Sequence, residues 1–194
     1  MRILVCVALS LILMAVAVDG KVAAPSVVIE TSIGAIEIEV DPARAPHTAD
    51  NFLRYVDEQF FDGTSFYRTV TATNQPDNLI RIAVIQAGAD GTRAAHEPIA
   101  LERTSVTGLK HLNGTVSMAR NGPDTATSEF FICVGDQPEL DFGGRRNPDG
   151  QGFAAFGRVL TGMDIVSRIH ASPAEGQRLS PPVTIRTIRR VQPQ

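Results

Sequence analysis

The sequence predicts a mainly β fold, a closed eight-stranded antiparallel β-barrel capped by two α-helices. Three observations carry that expectation. Short runs in which apolar and polar residues alternate recur along the whole chain. Only two segments show the 3.6-residue apolar period of a helix packed on one face, and strands and helices do not alternate in the rhythm a parallel sheet needs. With 194 residues, 43% apolar and 20% charged, the chain fits one domain able to bury a sizeable core.

The elements follow in order. Val27–Thr31 and Ala35–Val40 bracket Ser32-Ile33-Gly34, and in the second run Ile36, Ile38 and Val40 alternate with Glu37 and Glu39, so the pair reads as a β-hairpin. After the turn Asp41-Pro42-Ala43-Arg44-Ala45, Pro46 suits the first position of a helix, and Ala49, Phe52, Leu53 and Val56 form one apolar face to about Glu58. Ser65–Val70 is a strand in which Phe66, Arg68 and Val70 should share a side, placing an arginine among apolar neighbours. Read from the residues alone, Arg68 is either a functional cation or a strand-surface residue paired with a carboxylate. Thr71 to Arg81 has turn composition and no period, and Ile82–Gly88 returns as a strand with Val84 and Gln86 on one side.

Residues 89–112 show no clear pattern beyond loops around short extended pieces. Asn113-Gly114 then starts the strand Thr115–Ala119, whose expected neighbour is Phe130–Val134. Its adjacent Phe130 and Phe131 must face opposite sides of the sheet, one in the core and one lining a surface. A long Gly/Arg/Asn/Pro loop reaches Gly152, Phe153–Leu160 is a strand, and Met163, Val166 and Ile169 or His170 mark a short second helix. Pro181-Pro182 closes a loop before the last strand, Val183–Val191.

The start of the chain has a different character. Met1-Arg2 is positive, Ile3 to Val18 is nearly unbroken apolar sequence, and Ala15-Val16-Ala17 offers a small-x-small cleavage site. Residues 1–17 therefore read as a signal peptide cleaved near 17/18, residues 18–26 as a short linker and residues 27–191 as the folded domain. The implied destination is export, the periplasm in a bacterial source. An uncleaved anchor is the lesser alternative, because the run is short of the roughly 20 residues of a bilayer span. Removing the leader leaves Cys133 as the single cysteine, a small core residue within an apolar strand.

Several function classes fall away. Net charge is −3 and no aromatic-interleaved basic run occurs, so nucleic acid is not an expected partner. His47, His96, His111 and His170 have no metal-ligand spacing, and no phosphate loop, dinucleotide fingerprint or Gly-x-Ser-x-Gly elbow is present. Neither metal nor cofactor is expected.

Four ordered stretches resemble the consecutive motifs of the cyclophilin family: Phe61-Asp62-Gly63-Thr64-Ser65-Phe66-Tyr67-Arg68, Val84-Ile85-Gln86-Ala87-Gly88, Gly114-Thr115-Val116-Ser117-Met118-Ala119 and Ser128-Glu129-Phe130-Phe131-Ile132. Leu140-Asp141 and Val159-x-x-Gly162-Met163-Asp164-Ile165-Val166 continue the match, so it runs from about Val27 to Val191. The resemblance implies peptidyl-prolyl cis/trans isomerase activity on a barrel with a helix at each end, in agreement with the pattern. By motif position Arg68 is the catalytic arginine, and Phe131 floors a proline pocket walled by Val84 and Leu140. Gln86 and the Ala119-Arg120 backbone hold the peptide main chain, and Glu129 and Phe153 complete the binding positions.

The implied partners are proline-containing peptides and unfolded exported proteins, met by a monomer. The chain departs from the family at Ala83 in place of a pocket phenylalanine, Val84 in place of methionine, Glu129 in place of glutamine, Glu139 in place of an aromatic and Phe153 in place of histidine or tyrosine. A cyclosporin-like cyclic peptide should accordingly bind weakly. Two alternatives remain at this point: a proline-peptide-binding chaperone or adaptor with little turnover, and a barrel that holds a small apolar ligand inside.

Overall fold

In the hairpin the alternation does what the pattern requires: Ile36, Ile38 and Val40 are fully buried while Glu37 and Glu39 stay at the surface. The computed structural model describes residues 24–89 and 91–192, so the expected leader and most of the linker lie outside the described residues. Strands β1 (Ser26–Thr31) and β2 (Gly34–Val40) pair antiparallel with Thr31 opposite Gly34. The further strands are β3 (Ser65–Val70), β4 (Val84–Gly88), β5 (Thr115–Met118), β6 (Phe130–Cys133), β7 (Ala154–Thr161), the two-residue β8 (Ala174–Glu175) and β9 (Arg178–Arg190). Their order is β1-β2-β7-β5-β6-β4-β3-β9, and β9 pairs back onto β1. Eight strands thus close into an antiparallel barrel, and β8 is a spur on the start of β9. Closure removes the open edges that would otherwise invite pairing with another chain.

Helix α1 (Pro46–Asp57) covers one end. Its face of Ala49, Phe52, Leu53 and Val56 is buried, and the Phe52 ring lies 5.6, 5.4 and 5.0 Å from those of Phe61, Phe130 and Phe156. Aromatic contacts of this kind add to the area term that drives burial. A short helical turn, α2 (Thr104–Thr107), belongs to the stretch without periodicity, and α3 (Met163–His170) buries Ile165, Val166 and Ile169 against β2, β3 and β4. The barrel interior is filled by these side chains, which ends the case for a ligand held inside.

The patternless stretch also finishes α1. Glu102 accepts the backbone N–H groups of His47 and Thr48 at 3.1 and 2.8 Å and the Thr48 hydroxyl at 2.6 Å. A carboxylate there satisfies donors that have no partner within the helix and meets the positive end of its dipole.

Three expectations need correction. Register shifts between Phe66 and Arg68 against both β4 and β9, so Phe66, Arg68 and Val70 do not share a side. The extra residue of this bulge turns Phe66 into the interior cluster and leaves Val70 in the cluster on the opposite face. Second, Pro181-Pro182 lies within β9 rather than in a loop before it, since that strand begins at Arg178. Third, α2 adds a helix to the two expected.

Candidate active site

Phe130 and Phe131 separate as alternation demands. Phe130 is in the interior cluster; Phe131, on the other face of β6, joins Val70, Ile82, Val84, Cys133 and Leu140, with Ala119 and Phe153 packed against them. Phe131, Ile82, Val84, Leu140, Ala119 and Phe153 bound a surface cavity of about 390 Å³. Arg68, Gln86, Glu129 and Arg120 also line it, so the cavity collects every residue singled out by motif position. Cys133 lies beneath, its thiol pKa pushed up by burial, so it is an inert part of the floor.

Phe131 is held from several sides. Its ring meets Phe153 edge-on at 5.3 Å and stacks on His111 at 6.0 Å with 15° between the planes. His111 is buried and links Asp141 Oδ1, 2.8 Å from Nδ1, to Ser117 Oγ, 3.0 Å from Nε2. An aspartate, a histidine and a serine in line have the makings of a hydrolytic triad, but Ser117 is 0% exposed, so no substrate can reach its oxygen. The line instead fixes the imidazole under the aromatic floor. Burial pushes the Asp141 carboxyl up, yet the side-chain and backbone hydrogen bonds from His111, with the charges of His111 and Lys110, outweigh it and hold the pKa below the usual range.

Arg68 stands beside this floor without a carboxylate among the described residues. Its Nε and Nη2 donate to Gln177 Oε1 at 2.9 and 2.5 Å, and its Nη1 donates to Gln86 Oε1 at 2.7 Å. Gln86 Nε2 donates in turn to the Tyr67 oxygen at 2.6 Å, and the Tyr67 hydroxyl donates to Glu129 Oε2 at 2.8 Å. These bonds fix the orientation of the Gln86 amide and of the Arg68 guanidinium, which keeps an N–H on each terminal nitrogen for a ligand. The bulge in β3 makes it possible, because it brings Tyr67 and Arg68 to the same region of the surface. Gly88 is needed as well: with φ of +150°, a Cβ there would run into the Glu129 carboxylate. Burial lowers the Arg68 pKa, opposed by Tyr67, but a guanidinium stays charged. Neutral amides therefore hold an unpaired positive charge beside the apolar floor of the cavity.

On the far side Ala119 donates its N–H to the Glu129 carbonyl at 2.8 Å. Among the described residues the Ala119 carbonyl and both backbone groups of Arg120 have no internal backbone partner, so they are open to a peptide main chain. The Arg120 side chain is committed elsewhere, 1% exposed and paired with Asp149 at 2.7 Å.

A family model, cyclophilin type peptidyl-prolyl cis-trans isomerase/CLD, matches residues 26–190. The chain belongs to the cyclophilin family. Peptidyl-prolyl cis-trans isomerase A of Dickeya dadantii is 36% identical over 148 residues, covering 74% of this cyclophilin and 70% of the relative. The isomerase cyp18 of Streptomyces antibioticus is 37% identical over 153 residues, covering 74% and 82%. A crystal structure of a cyclophilin type isomerase from Cryptosporidium parvum superposes with a TM-score of 0.72 at 20% identity, covering 88% of this chain and 99% of that one. The same protein crystallised in the presence of the dipeptide Ala-Pro gives a TM-score of 0.70. This cyclophilin is accordingly a peptidyl-prolyl cis-trans isomerase by family.

The departures from the family now have places. Ile82, not Ala83, supplies the missing bulk to the pocket wall, while Ala83 is tied by its backbone to Val134 and Gln137. Glu139 does not line the cavity and pairs with Arg145 at 2.8 Å. Sequence reasoning missed Tyr67, Gln177, Ile82, Arg146 and Asn147. Tyr67 belongs to the first of the quoted motifs, next to Arg68, and Ile82 is an apolar residue at the start of a predicted strand, so both carried a signal; Gln177, Arg146 and Asn147 lie in loops and had none.

Proposed function

We propose that this cyclophilin accelerates X–Pro isomerisation during the folding of exported proteins, with Arg68 as its catalytic residue. One observation carries the assignment: the guanidinium is held by the neutral amides of Gln86 and Gln177 beside the apolar floor of Phe131, Val84 and Leu140, with no carboxylate among the described residues paired to it. Rotation about an X–Pro bond is slow because amide resonance must be broken, with an activation energy of about 20 kcal/mol. In the twisted state the proline nitrogen becomes pyramidal and gains a lone pair. An N–H of Arg68 donating to that lone pair stabilises the twisted state above either planar isomer, which is the condition for catalysis. The planar fork reaches the nitrogen with one N–H and the proline's own carbonyl with another.

Phe131, Leu140 and Val84, with Ile82, hold the proline ring so that the preceding carbonyl does the turning. Gln86, the Ala119 carbonyl and the Arg120 N–H hold the main chain, and Phe153 and Glu129 bound the groove. Removing Arg68 should abolish most turnover on a proline tetrapeptide, and equal rates for wild type and Arg68→Ala would overturn the mechanism. The apolar start of the chain supports export, to the periplasm in a bacterial source, where the enzyme would assist newly translocated chains as a monomer. Cell fractionation with N-terminal sequencing should give a protein that begins near residue 18; full-length protein retained in the cytoplasm would refute this. Glu139, turned to Arg145, supports weak binding of a cyclosporin-like peptide, and a tight titration would count against it.

A further inference from the structure

The loops before β4 and before β7 meet at the cavity that Arg68 lines, and the side chain of Arg146 bridges them there. Arg146 Nη1 donates to Gln75 Oε1 at 2.8 Å and to the Ile80 carbonyl at 2.7 Å. Gln75 is itself anchored, its Nε2 donating to the carbonyls of Thr71 and Ile82 at 2.6 and 2.8 Å. Arg146 is thereby fixed by neutral oxygens on the wall of the cavity that Arg68 lines.

Its neighbours are treated differently. Arg145 is paired with Glu139 at 2.8 Å and Arg120 with Asp149 at 2.7 Å, whereas among the described residues no carboxylate pairs with Arg146. Burial and the charge of Arg68 both lower its pKa, as expected of a cation held near a second cation with no anion between them. Next to it Asn147 lines the same cavity, and its Nδ2 is buried with no hydrogen-bond partner. Buried donors are almost always satisfied, so an orphan of this kind calls for an acceptor from outside. The one acid lining the cavity among the described residues, Glu129, receives the Tyr67 hydroxyl at the far end of the hydrogen-bonded chain.

We propose that Arg146 and Asn147 form a subsite for a carboxylate on the residue that follows proline, so that the enzyme prefers Pro-Glu and Pro-Asp sequences. The position rests on the reading of Arg68 given above: if its fork holds the proline's own carbonyl, the chain leaving that carbonyl passes toward the second guanidinium. A carboxylate there accepts from the free face of the guanidinium and, once the Asn147 side chain turns outward, from its amide, and it relieves the repulsion between Arg146 and Arg68.

The test compares kcat/KM for tetrapeptides of the form Ala-Ala-Pro-Xaa, with Xaa glutamate, glutamine or lysine, and for a peptide with glutamate before the proline. Wild type should favour glutamate over glutamine after proline by about three- to tenfold, with lysine lowest and the preference shrinking as salt rises. Arg146→Gln should bring the ratio close to one, Asn147→Ala should reduce it, and Arg146→Lys should keep a smaller preference, because the charge survives without the fork. Each readout is a ratio within one variant, so a general loss of activity cancels. An active wild type with equal rates for glutamate and glutamine overturns the subsite, as does an unchanged ratio in Arg146→Gln. A preference for glutamate before the proline overturns its position, and no isomerisation of any peptide strikes at the enzyme reading instead.

Discussion

Phe130 and Phe131 are neighbours on one strand, and the regions they enter are built on opposite rules. On the inner side Phe130 meets Phe52, Phe61 and Phe66 with ring centroids 5.4 to 6.1 Å apart, among side chains that carry hardly a polar atom. On the outer side Phe131 is stacked on an imidazole, and the wall beside it carries two guanidiniums held by amide and carbonyl oxygens. The interior satisfies every group with its own neighbours. The groove leaves charges and backbone groups without matching partners, and that incompleteness makes it a site for a peptide rather than a second core.

Substitutions that act on one region and spare the other sharpen this contrast. The largest effect is expected from Phe130→Ala, which should lower stability by about 3–5 kcal/mol through the cavity it leaves. The loss is measured by chemical denaturation; Phe131→Ala should cost clearly less stability while removing most turnover, and the reverse pattern would show that the two faces have been assigned the wrong way round. Next in size, Arg68→Ala should reduce kcat/KM roughly a hundred- to a thousandfold with an almost unchanged melting temperature, as for loss of one preorganised donor. Arg68→Lys should not restore the rate, because a single ammonium cannot replace the fork.

Gln177→Ala takes away two of the three side-chain hydrogen bonds that orient Arg68, and should lower kcat/KM by about five- to tenfold, because the Gln86 bond still holds the guanidinium but less firmly. A wild-type rate in that variant would mean that Gln86 alone positions the guanidinium. The smallest effect concerns acid. Asp141 has a lower pKa folded than unfolded, so its contribution to stability is complete above the unfolded carboxylate pKa and is lost as pH falls through the folded one. Asp141→Asn should therefore be less stable at neutral pH and lose less than wild type on acidification; parallel stability curves for the two proteins would sink this account of the His111 line.

Much of the barrel was legible because strands announce themselves by period. Ile36, Ile38 and Val40 declare a buried face, and Ala49, Phe52, Leu53 and Val56 declare a helix, each from a handful of adjacent residues. The ordered motifs likewise singled out Arg68, Gln86, Phe131 and Leu140. What escaped was irregular or distant. One extra residue between Phe66 and Arg68 inverts the faces of β3, and alternation cannot foretell a bulge. Glu102 reaches Thr48 across 54 positions, from a stretch that has no period at all.

By itself the sequence determined which segments alternate, hence the strands, the two capping helices and the split of Phe130 from Phe131, since these depend on local geometry repeated every two or every 3.6 residues. Only the tertiary structure decided how the cation is held and what stands beside it. Gln177 lies 109 positions from Arg68, and Arg146 lies 71 positions from Gln75. Barrel closure brings such groups within hydrogen-bonding distance, and whether a charge is then neutralised or left for a ligand depends on partners that no local pattern encodes.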